Sequence, residues 1–322
     1  MRRLIKNRTI TWLATLLIFV VLLALAHWLT EGETFPGVAT VAVIAVALAG
    51  LVGVYRATAR SRGWRIRPRH VVIMAVGAAL YAGLAYVFDA RLALSVGQVA
   101  IRPMVCIPIL FGYAFGPVVG FFTGAVGALL GDVFTAFGVF PAWTIGSGLS
   151  GLIPGLTTFL AEERHNLAYL STLVILLVGI AAIIVFVHPL APEPWTDEVK
   201  DFSFWGWALI IGGAVMVANR FLLEQVSVAL AAVNLWGTLG IVVGVGFVSV
   251  AHIWINEYTL ITSLVGEFAP AAATDILNLM IFTPLVLASY NAIRERVRPR
   301  IGGGARRELR DPSTAPSERS EG

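Results

Sequence analysis

The sequence predicts an all-α polytopic membrane protein, a bundle of about ten transmembrane helices. Of its 322 residues, 58% are hydrophobic and 13% are charged, and the mean hydropathy is +0.84. Soluble globular domains do not have this composition. Apolar runs close to the roughly 20 residues that cross a bilayer recur along the chain. Their ranges are 9–30, 37–55, 71–88, 99–114, 117–138, 143–161, 167–187, 205–223, 226–255 and 264–293.

The first two runs are separated from the rest by a basic segment. The run at 9–30 follows MRRLIKNR, so it fits either a retained helix or a cleaved signal sequence. The run at 37–55 leads into six arginines between Arg56 and Arg69. We therefore divide the chain into two N-terminal helices with a basic hinge (1–69), a main bundle (70–300) and a disordered cytoplasmic tail (301–322).

Residues 98–155 are apolar but rich in Gly and Pro. Gly112, Gly116, Gly120 and Gly124 recur at every fourth position, a pattern that lets helix backbones approach closely in lipid. Gly116 and Pro117 are predicted to form a tight turn between two helices. Further along, polar residues at 219–225 interrupt the apolar stretch 205–255 and divide it into two helices.

The placement of basic residues predicts the orientation of the bundle. Cytoplasmic segments retain Lys and Arg, whereas translocated loops do not. With the N-terminus inside, all of the 23 Lys and Arg residues fall in cytoplasmic segments except Arg91, Arg102 and Lys200. We therefore expect a multi-pass protein of the cell (plasma) membrane with both termini in the cytoplasm. Contact of the cytoplasmic segments with anionic lipid explains the excess of basic over acidic residues, so no nucleic-acid partner is needed.

The motifs of common enzymes and metal sites are missing from the sequence. The single Cys106 allows no internal disulfide, and the five histidines form no ligand pair at metal-binding spacing. The sequence contains no GxxxxGK[ST] loop for nucleotide phosphates. We therefore predict no catalytic residues, no metal site and no cofactor in this chain. If transport uses ATP, another chain must bind it.

Two charged residues and one tryptophan are predicted at a similar membrane depth. A charge near the bilayer centre costs roughly 2.5 to 3.5 kcal/mol, so Arg102 and Asp132 need a compensating partner. They fit either a salt bridge between two helices or a pocket where Arg102 meets an anionic or carbonyl group of a ligand. Trp143 fits either an interfacial belt or a position that stacks on a flat heterocycle.

The last predicted helix carries three more polar residues. Asp275 and Asn278 are three positions apart and share a helical face near mid-membrane. Asp275 fits either a buried hydrogen bond to Asn234 or Ser249 or a ligand or gating role. Glu267 fits either a solvated helix start or a ligand contact. The candidate substrate-binding residues are Arg102, Asp132, Trp143, Glu267, Asp275 and Asn278.

Several segments together resemble a known family. They read VVIMAVGAALYAGLAYVF, IRPMVCIPILFGYAFGPVVGFFTGAVGALLGD, FPAWTIGSGLSGLIPG and FAPAAATDILNLMIFTPLVLASYNAIRER. In this order they resemble the substrate-binding S component of energy-coupling factor (ECF) vitamin transporters, over 70–160 and 267–296. The sequence departs from the family pattern in its two extra N-terminal helices, its longer middle region and Ser147, where the family tends to have Asn.

The resemblance implies a subunit that captures a vitamin or vitamin-like small molecule from the outer face. It implies partners as well: a transmembrane coupling (T) protein and ATPase subunits that bind ATP. In this family, small residues on the first core helix serve the docking surface. Here Ala75, Ala79 and Gly83 have the matching spacing, which also fits ordinary packing inside the bundle.

Two other functional classes remain open from the sequence. The first is an autonomous ion-coupled secondary transporter that uses Asp275 and Asp132 as coupling carboxylates. The second is a membrane enzyme or scaffold, although the sequence shows no clustered acid, base or metal set.

Overall fold

The computed structural model describes residues 37–58, 64–96, 99–136, 138–159, 171–180, 182–183, 206–214, 218, 221, 225, 227–260 and 262–297. These residues form a bundle of α-helices, which confirms the predicted fold class. Residues 171–180 and 206–214 are helical as well. The predicted helix at 9–30 and the tail at 301–322 lie outside the described residues. The main helices are α1 (Gly37–Thr58), α2 (Pro68–Ala85), α3 (Cys106–Phe115), α4 (Pro117–Thr135), α5 (Pro141–Gly155), α6 (Val228–Ile255) and α7 (Ala269–Val297).

Short helical segments extend several of these helices. A π-helical segment, Tyr86–Leu92, continues α2, and another, Thr262–Phe268, leads into α7. The 3-10 turn Pro103–Val105 precedes α3, and the 3-10 turn Leu156–Phe159 follows α5. The extension of α2 brings seven further residues into helical conformation at one end of the bundle.

The predicted helix at 99–114 begins later than the hydropathy indicates. Ser95–Val96 (β1) and Val99–Ala100 (β2) form a small antiparallel hairpin, and Ile101 N–H donates to the Leu94 carbonyl at 2.8 Å. Arg102 has an extended φ of −127° because the ring of Pro103 disfavours helical geometry at the preceding residue. Helical structure therefore starts at Pro103 rather than at residue 99.

The glycine-rich helix α5 lies among α3, α4 and α6. A Cβ atom added at Gly120 would lie 2.6 Å from the carbonyl carbon of Gly151, and one added at Gly124 would lie 2.6 Å from that of Ser147. On another side of α5, a Cβ atom at Gly146 would lie 2.8 Å from the backbone carbonyl oxygen of Gly244 in α6. These positions exclude side chains because the helix backbones are in direct contact, as the glycine spacing predicts.

The predicted tight turn between two helices is confirmed. Helix α3 ends at Phe115 and α4 begins at Pro117, so the single residue Gly116 joins them. Its φ of 105° lies in the region that favours glycine. Proline at the first position of α4 loses no helical hydrogen bond, because that N–H has no partner within the helix.

Helix α1 packs onto the main bundle. Leu51 belongs to a buried cluster with Phe121 of α4 and Leu152 of α5. Nearer the start of α1, Val43 packs with Ala142 and Val248. Helix α1, which corresponds to the second of the two predicted N-terminal helices, thus buries one face against α5 and α6.

The chain is a multi-pass membrane protein. Among the described residues, four helical stretches are long and apolar enough to cross a bilayer: Pro68–Leu92, Pro117–Thr135, Val228–Ile255 and Thr262–Ile293. Large apolar side chains on their outer faces are exposed, including Val72 at 63%, Ile281 at 66% and Leu285 at 66%. Contact with lipid chains accounts for such exposure.

Candidate binding site

A cavity of about 560 Å³ lies at the end of the bundle where α2 and α4 end and α5 begins. We call it the first cavity. The extension of α2, the hairpin β1–β2 and the residues just before α3 complete its wall. Its aromatic lining residues are Tyr81, Phe88, Phe140 and Trp143, its charged ones are Asp89, Arg102 and Asp132, and its hydroxyl residues include Ser95, Thr135 and Ser147. The structure thus brings three predicted site residues, Arg102, Asp132 and Trp143, to one space.

Arg102 forms its ion pair with Asp89 rather than with Asp132. The guanidinium Nη2 lies 3.5 Å from Asp89 Oδ2, and the two side chains are 34% and 22% exposed. Asp89 directly follows the apolar run 71–88, and the π-helical extension of α2 carries it into the cavity wall. Of the two alternatives for Arg102 and Asp132, a salt bridge between them is therefore not formed among the described residues. Asp132 lines the cavity from the last turn of α4, close to the backbone of Phe140.

Asp275 is buried in α7 near Arg102. Its side chain is 9% exposed, and its negative charge attracts the Arg102 guanidinium. The alternative of a hydrogen bond from Asp275 to Asn234 or Ser249 is not realised, because the buried side-chain amide of Asn234, Ser249 Oγ and Asp275 Oδ1 have no hydrogen-bond partner. Two carboxylates therefore act on Arg102, that of Asp89 on the cavity wall and that of the buried Asp275.

Asn278 holds the backbone that precedes α3. Its Oδ1 accepts a hydrogen bond from Arg102 N–H at 2.7 Å. Its Nδ2 donates to the carbonyls of Ala100 at 2.8 Å and of Thr274 at 2.9 Å. These bonds use both amide hydrogens of the buried side chain. Asn278 thus positions Arg102 from α7, and a direct ligand contact by this residue stays a prediction.

Glu267 lines a different, second cavity. This space of about 340 Å³ lies at the same end of the bundle, and Thr40, Trp143, His252 and Tyr258 also line it. Glu267 Oε1 lies 2.6 Å from His252 Nδ1, and the two side chains are 15% and 9% exposed. Trp143 lines both cavities and forms part of the wall between them.

The small residues predicted to dock a partner lie on the outside of α2. Ala75, Ala79 and Gly83 are exposed, and a Cβ atom at Gly83 would have no neighbour within 4 Å. By contrast, Ala78 and Ala82 on the adjoining row are buried in the bundle. Among the described residues, packing inside the bundle therefore does not explain the row of Ala75, Ala79 and Gly83.

Sequence reasoning missed Asp89, Tyr81 and Phe88 as parts of the cavity. Tyr81 carried a signal, because a tyrosine within an apolar membrane helix needs a polar environment for its hydroxyl group. It is 6% exposed and packs against Gly127, where an added Cβ atom would lie 2.6 Å from its own Cβ. Phe88 ends the predicted helix 71–88 and Asp89 follows it, and no local pattern indicates that the π-helical extension carries both into the cavity wall.

Comparison with known proteins bears on the same region. A family model described as "ECF-type riboflavin transporter, S component" matches residues 65–199. The resemblance to ECF S components is confirmed. The resemblance predicted for 267–296 lies outside the matched residues.

Curated relatives also match this chain in part. A UPF0397 protein from Vibrio atlanticus (strain LGP32) is 35% identical over 95 residues, which are 29% of this chain and 50% of that protein. A UPF0397 protein from Aliivibrio salmonicida (strain LFI1238) is 36% identical over 29% of this chain and 50% of that protein. A UPF0397 protein from Streptococcus gordonii (strain Challis) is 35% identical over 27% of this chain and 46% of that protein. The chain spans about half the length of the curated relatives it matches. No solved structure matches.

The first cavity lies within the part that resembles an S component. Its lining residues run from Tyr81 to Ser147, and the exposed row on α2 also falls in the matched range 65–199. The second cavity takes Thr40, His252 and Glu267 from outside that range. The S-component resemblance therefore covers the first cavity completely and the second only in part.

Proposed function

We propose that this chain is the substrate-specificity (S) subunit of an ECF-type importer. The observation that carries the proposal is the first cavity, which lies wholly within the residues that match an S component. It has a volume of about 560 Å³ and is largely formed at the ends of packed helices. Small-molecule sites typically occupy about 300 to 1,000 Å³ and combine aromatic walls with a few polar groups. The first cavity has both properties.

The ligand is a vitamin or vitamin-like small molecule with a flat ring. Trp143 and Phe140 offer aromatic faces, while Arg102 and Asp132 offer a donor and an acceptor. Riboflavin is the substrate in the name of the matching family, which makes it the first probe. The name does not choose the ligand of this chain, because one fold hosts many specificities.

The first cavity faces outward and both termini are cytoplasmic. The end of the bundle opposite the cavity carries Arg56, Arg65, Arg67 and Arg69, all exposed. Basic residues are retained on the cytoplasmic side of a membrane. This distribution supports capture from the outer face and delivery inward.

The chain works with partners that supply the energy. A transmembrane coupling protein docks on the exposed row of Ala75, Ala79 and Gly83, where small residues allow close helix approach. ATPase subunits bind ATP, and lipid surrounds the remaining apolar surface. The chain itself carries out no chemical reaction.

Binding and transport assays test the proposal. The purified chain is expected to carry a small molecule that mass spectrometry identifies, and to bind it or riboflavin without partners. Trp143→Ala is expected to weaken binding about tenfold through loss of a stacking surface. Trp254→Ala is the matched control, because Trp254 is 60% exposed and lines neither cavity.

Proteoliposomes distinguish the two transport mechanisms. An S subunit is expected to accumulate substrate only when the coupling protein and ATPases are present with ATP. Uptake by the chain alone, driven by an ion gradient, would instead show a secondary transporter. Absence of any bound small molecule from the purified chain, together with no binding of riboflavin or any other vitamin, would contradict both.

A further inference from the structure

We infer that the first cavity selects a ligand with a positive charge, and that Asp132 is the residue that recognises it. This inference rests on the proposed function and names its substrate class. The observation behind it is the balance of charge around the cavity: two carboxylates, Asp89 and Asp132, and one guanidinium, Arg102, line the wall. The buried Asp275 adds a third carboxylate near Arg102.

The positive charge of Arg102 is already compensated. Its Nη2 lies 3.5 Å from Asp89 Oδ2, and Asp275 attracts it from inside α7. An anionic ligand at Arg102 would have to approach both carboxylates or displace Asp89. Two like charges at close range repel each other. The environment of Arg102 therefore disfavours an anion.

Asp132 makes no ion pair with a described residue; its carboxylate accepts a hydrogen bond from the backbone of Phe140, and Arg102 attracts it from beyond ion-pair distance. No Lys, Arg or His of the described ranges lies within 4.0 Å of its carboxylate, and the ion pair of Arg102 is made elsewhere. Asp132 lines the cavity in the last turn of α4, where the C-terminal end of the helix adds partial negative charge. A cation beside Asp132 would gain a favourable electrostatic interaction with its carboxylate.

The aromatic wall suits the same kind of ligand. Tyr81, Phe88, Phe140 and Trp143 line the cavity that contains Asp132. The faces of aromatic rings carry partial negative charge and attract cations within about 6 Å of the ring centroid. A flat heterocycle with a protonated amine or a cationic ring would use both the aromatic faces and the carboxylate.

A matched pair of vitamins tests this inference on the wild-type chain. Pyridoxamine carries an aminomethyl cation where pyridoxine carries a neutral hydroxymethyl group. We expect pyridoxamine to bind about tenfold more tightly than pyridoxine, measured by quenching of tryptophan fluorescence or by calorimetry. Riboflavin is expected to bind more tightly than its anionic phosphate, flavin mononucleotide. The molecule that co-purifies with the chain is expected to be a cation at pH 7.

Three variants locate the selectivity. Asp132→Asn keeps the shape of the side chain and is expected to remove the preference for pyridoxamine. Asp89→Asn removes the carboxylate that pairs with the positive charge of Arg102. It is therefore expected to improve the binding of flavin mononucleotide relative to riboflavin. Glu257→Gln removes an exposed carboxylate at the same end of the bundle that lines neither cavity, and is expected to change nothing.

The outcomes separate this inference from the proposed function. A co-purified ligand that is neutral or anionic at pH 7, or equal binding of pyridoxamine and pyridoxine by the wild-type chain, would overturn the charge selectivity and leave the S-subunit proposal standing. Selectivity that persists in Asp132→Asn would overturn the role of Asp132. A chain that binds no vitamin and carries no small molecule would overturn both proposals together.

Discussion

Asn278 acts on the first cavity through the backbone that carries Arg102. Its side chain joins α7 to residues on both sides of Ile101, with bonds of 2.7 Å to Arg102 N–H and 2.8 Å to the Ala100 carbonyl. These backbone groups lie at the edge of a two-residue strand and have no helical partner. A single amide therefore fixes the position from which the Arg102 side chain enters the cavity.

Replacement of Asn278 tests this positioning role. We expect Asn278→Leu to destabilise the protein by about 1 to 3 kcal/mol, because the partly buried backbone groups of Ala100 and Arg102 would lose their hydrogen-bond partner. Ligand affinity is expected to fall as well, since Arg102 and the hairpin lose their anchor. Thermal unfolding in detergent and ligand titration measure the two effects.

The control for Asn278 lies on the same helix. Ser289 is exposed and donates to the carbonyl of Leu285 in its own helix. Ser289→Ala is expected to leave both the unfolding temperature and the affinity unchanged. An Asn278→Leu protein with wild-type stability and affinity would show that the hairpin holds its position without this amide.

At the residue scale, the sequence predicted which charged residues lie close together, but it did not predict the ion pair that Arg102 forms. Arg102, Asp132 and Trp143 reach one cavity because helix ends at the same depth meet there. Asp89 pairs with Arg102 only because α2 continues as a π-helix beyond Ala85. The energy of such a continuation depends on tertiary contacts, so no local pattern in the sequence reveals it.

At the scale of elements, α5 sets how closely the helices around the cavity approach. Gly151 meets Gly120 of α4 and Pro108 of α3, while Gly146 meets α6 on another side. Trp143 and Ser147, one turn apart near the start of the same helix, line the first cavity. Helix α5 thus packs closely against its neighbours through its small residues and lines the first cavity with residues near its start.

A methyl group at Gly151 tests the backbone contact. An added Cβ atom would lie 2.6 Å from the carbonyl carbon of Gly120 and 2.9 Å from Pro108 Cβ, and neither neighbour has a flexible end that can move aside. Gly151→Ala is therefore expected to destabilise the protein by about 1 to 3 kcal/mol through overpacking. The midpoint of thermal unfolding in detergent measures the loss.

Gly50→Ala in α1 provides the matched control. No atom lies within 4 Å of a Cβ atom added at Gly50, so the same substitution meets open space. It is expected to be neutral or slightly stabilising, because glycine is unfavourable inside a helix. Equal unfolding midpoints for the two variants would argue against close packing at Gly151.

Element boundaries were predictable where local chemistry determines them. Helix α4 begins at Pro117, and Gly116 forms the turn before it. Both features follow from the backbone preferences of proline and glycine. The start of α3 was not predictable from hydropathy, because VAIRPMV is apolar enough to be helical. Pairing of Ser95 with Ala100 and the bonds from Asn278 decide its conformation, and both partners lie outside the apolar run.

At the scale of the whole molecule, the two ends of the bundle differ in charge and in shape. The cavity end holds Asp89, Asp132 and Glu267 beside open spaces. The opposite end holds exposed arginines and the closed turn at Gly116. Composition and the distribution of basic residues were sufficient to predict this polarity, because both reflect the membrane rather than particular tertiary contacts.

The outer face of α2 is the proposed docking surface for the coupling protein. The same helix lines the first cavity through Tyr81 and Ala85 and presents Ala75, Ala79 and Gly83 outward. We expect Ala79→Trp to prevent close approach of a partner helix, so that co-purification with the coupling protein and ATP-driven uptake fall at least about tenfold. Ligand binding by the isolated chain is expected to stay at the wild-type level, because Ala79 lies outside the cavity.

Ala49→Trp at an exposed position of α1 is the matched control and is expected to retain both assembly and uptake. Normal assembly and uptake by Ala79→Trp would exclude this row as the docking surface, whereas loss of ligand binding would show that the substitution acts through the fold of α2.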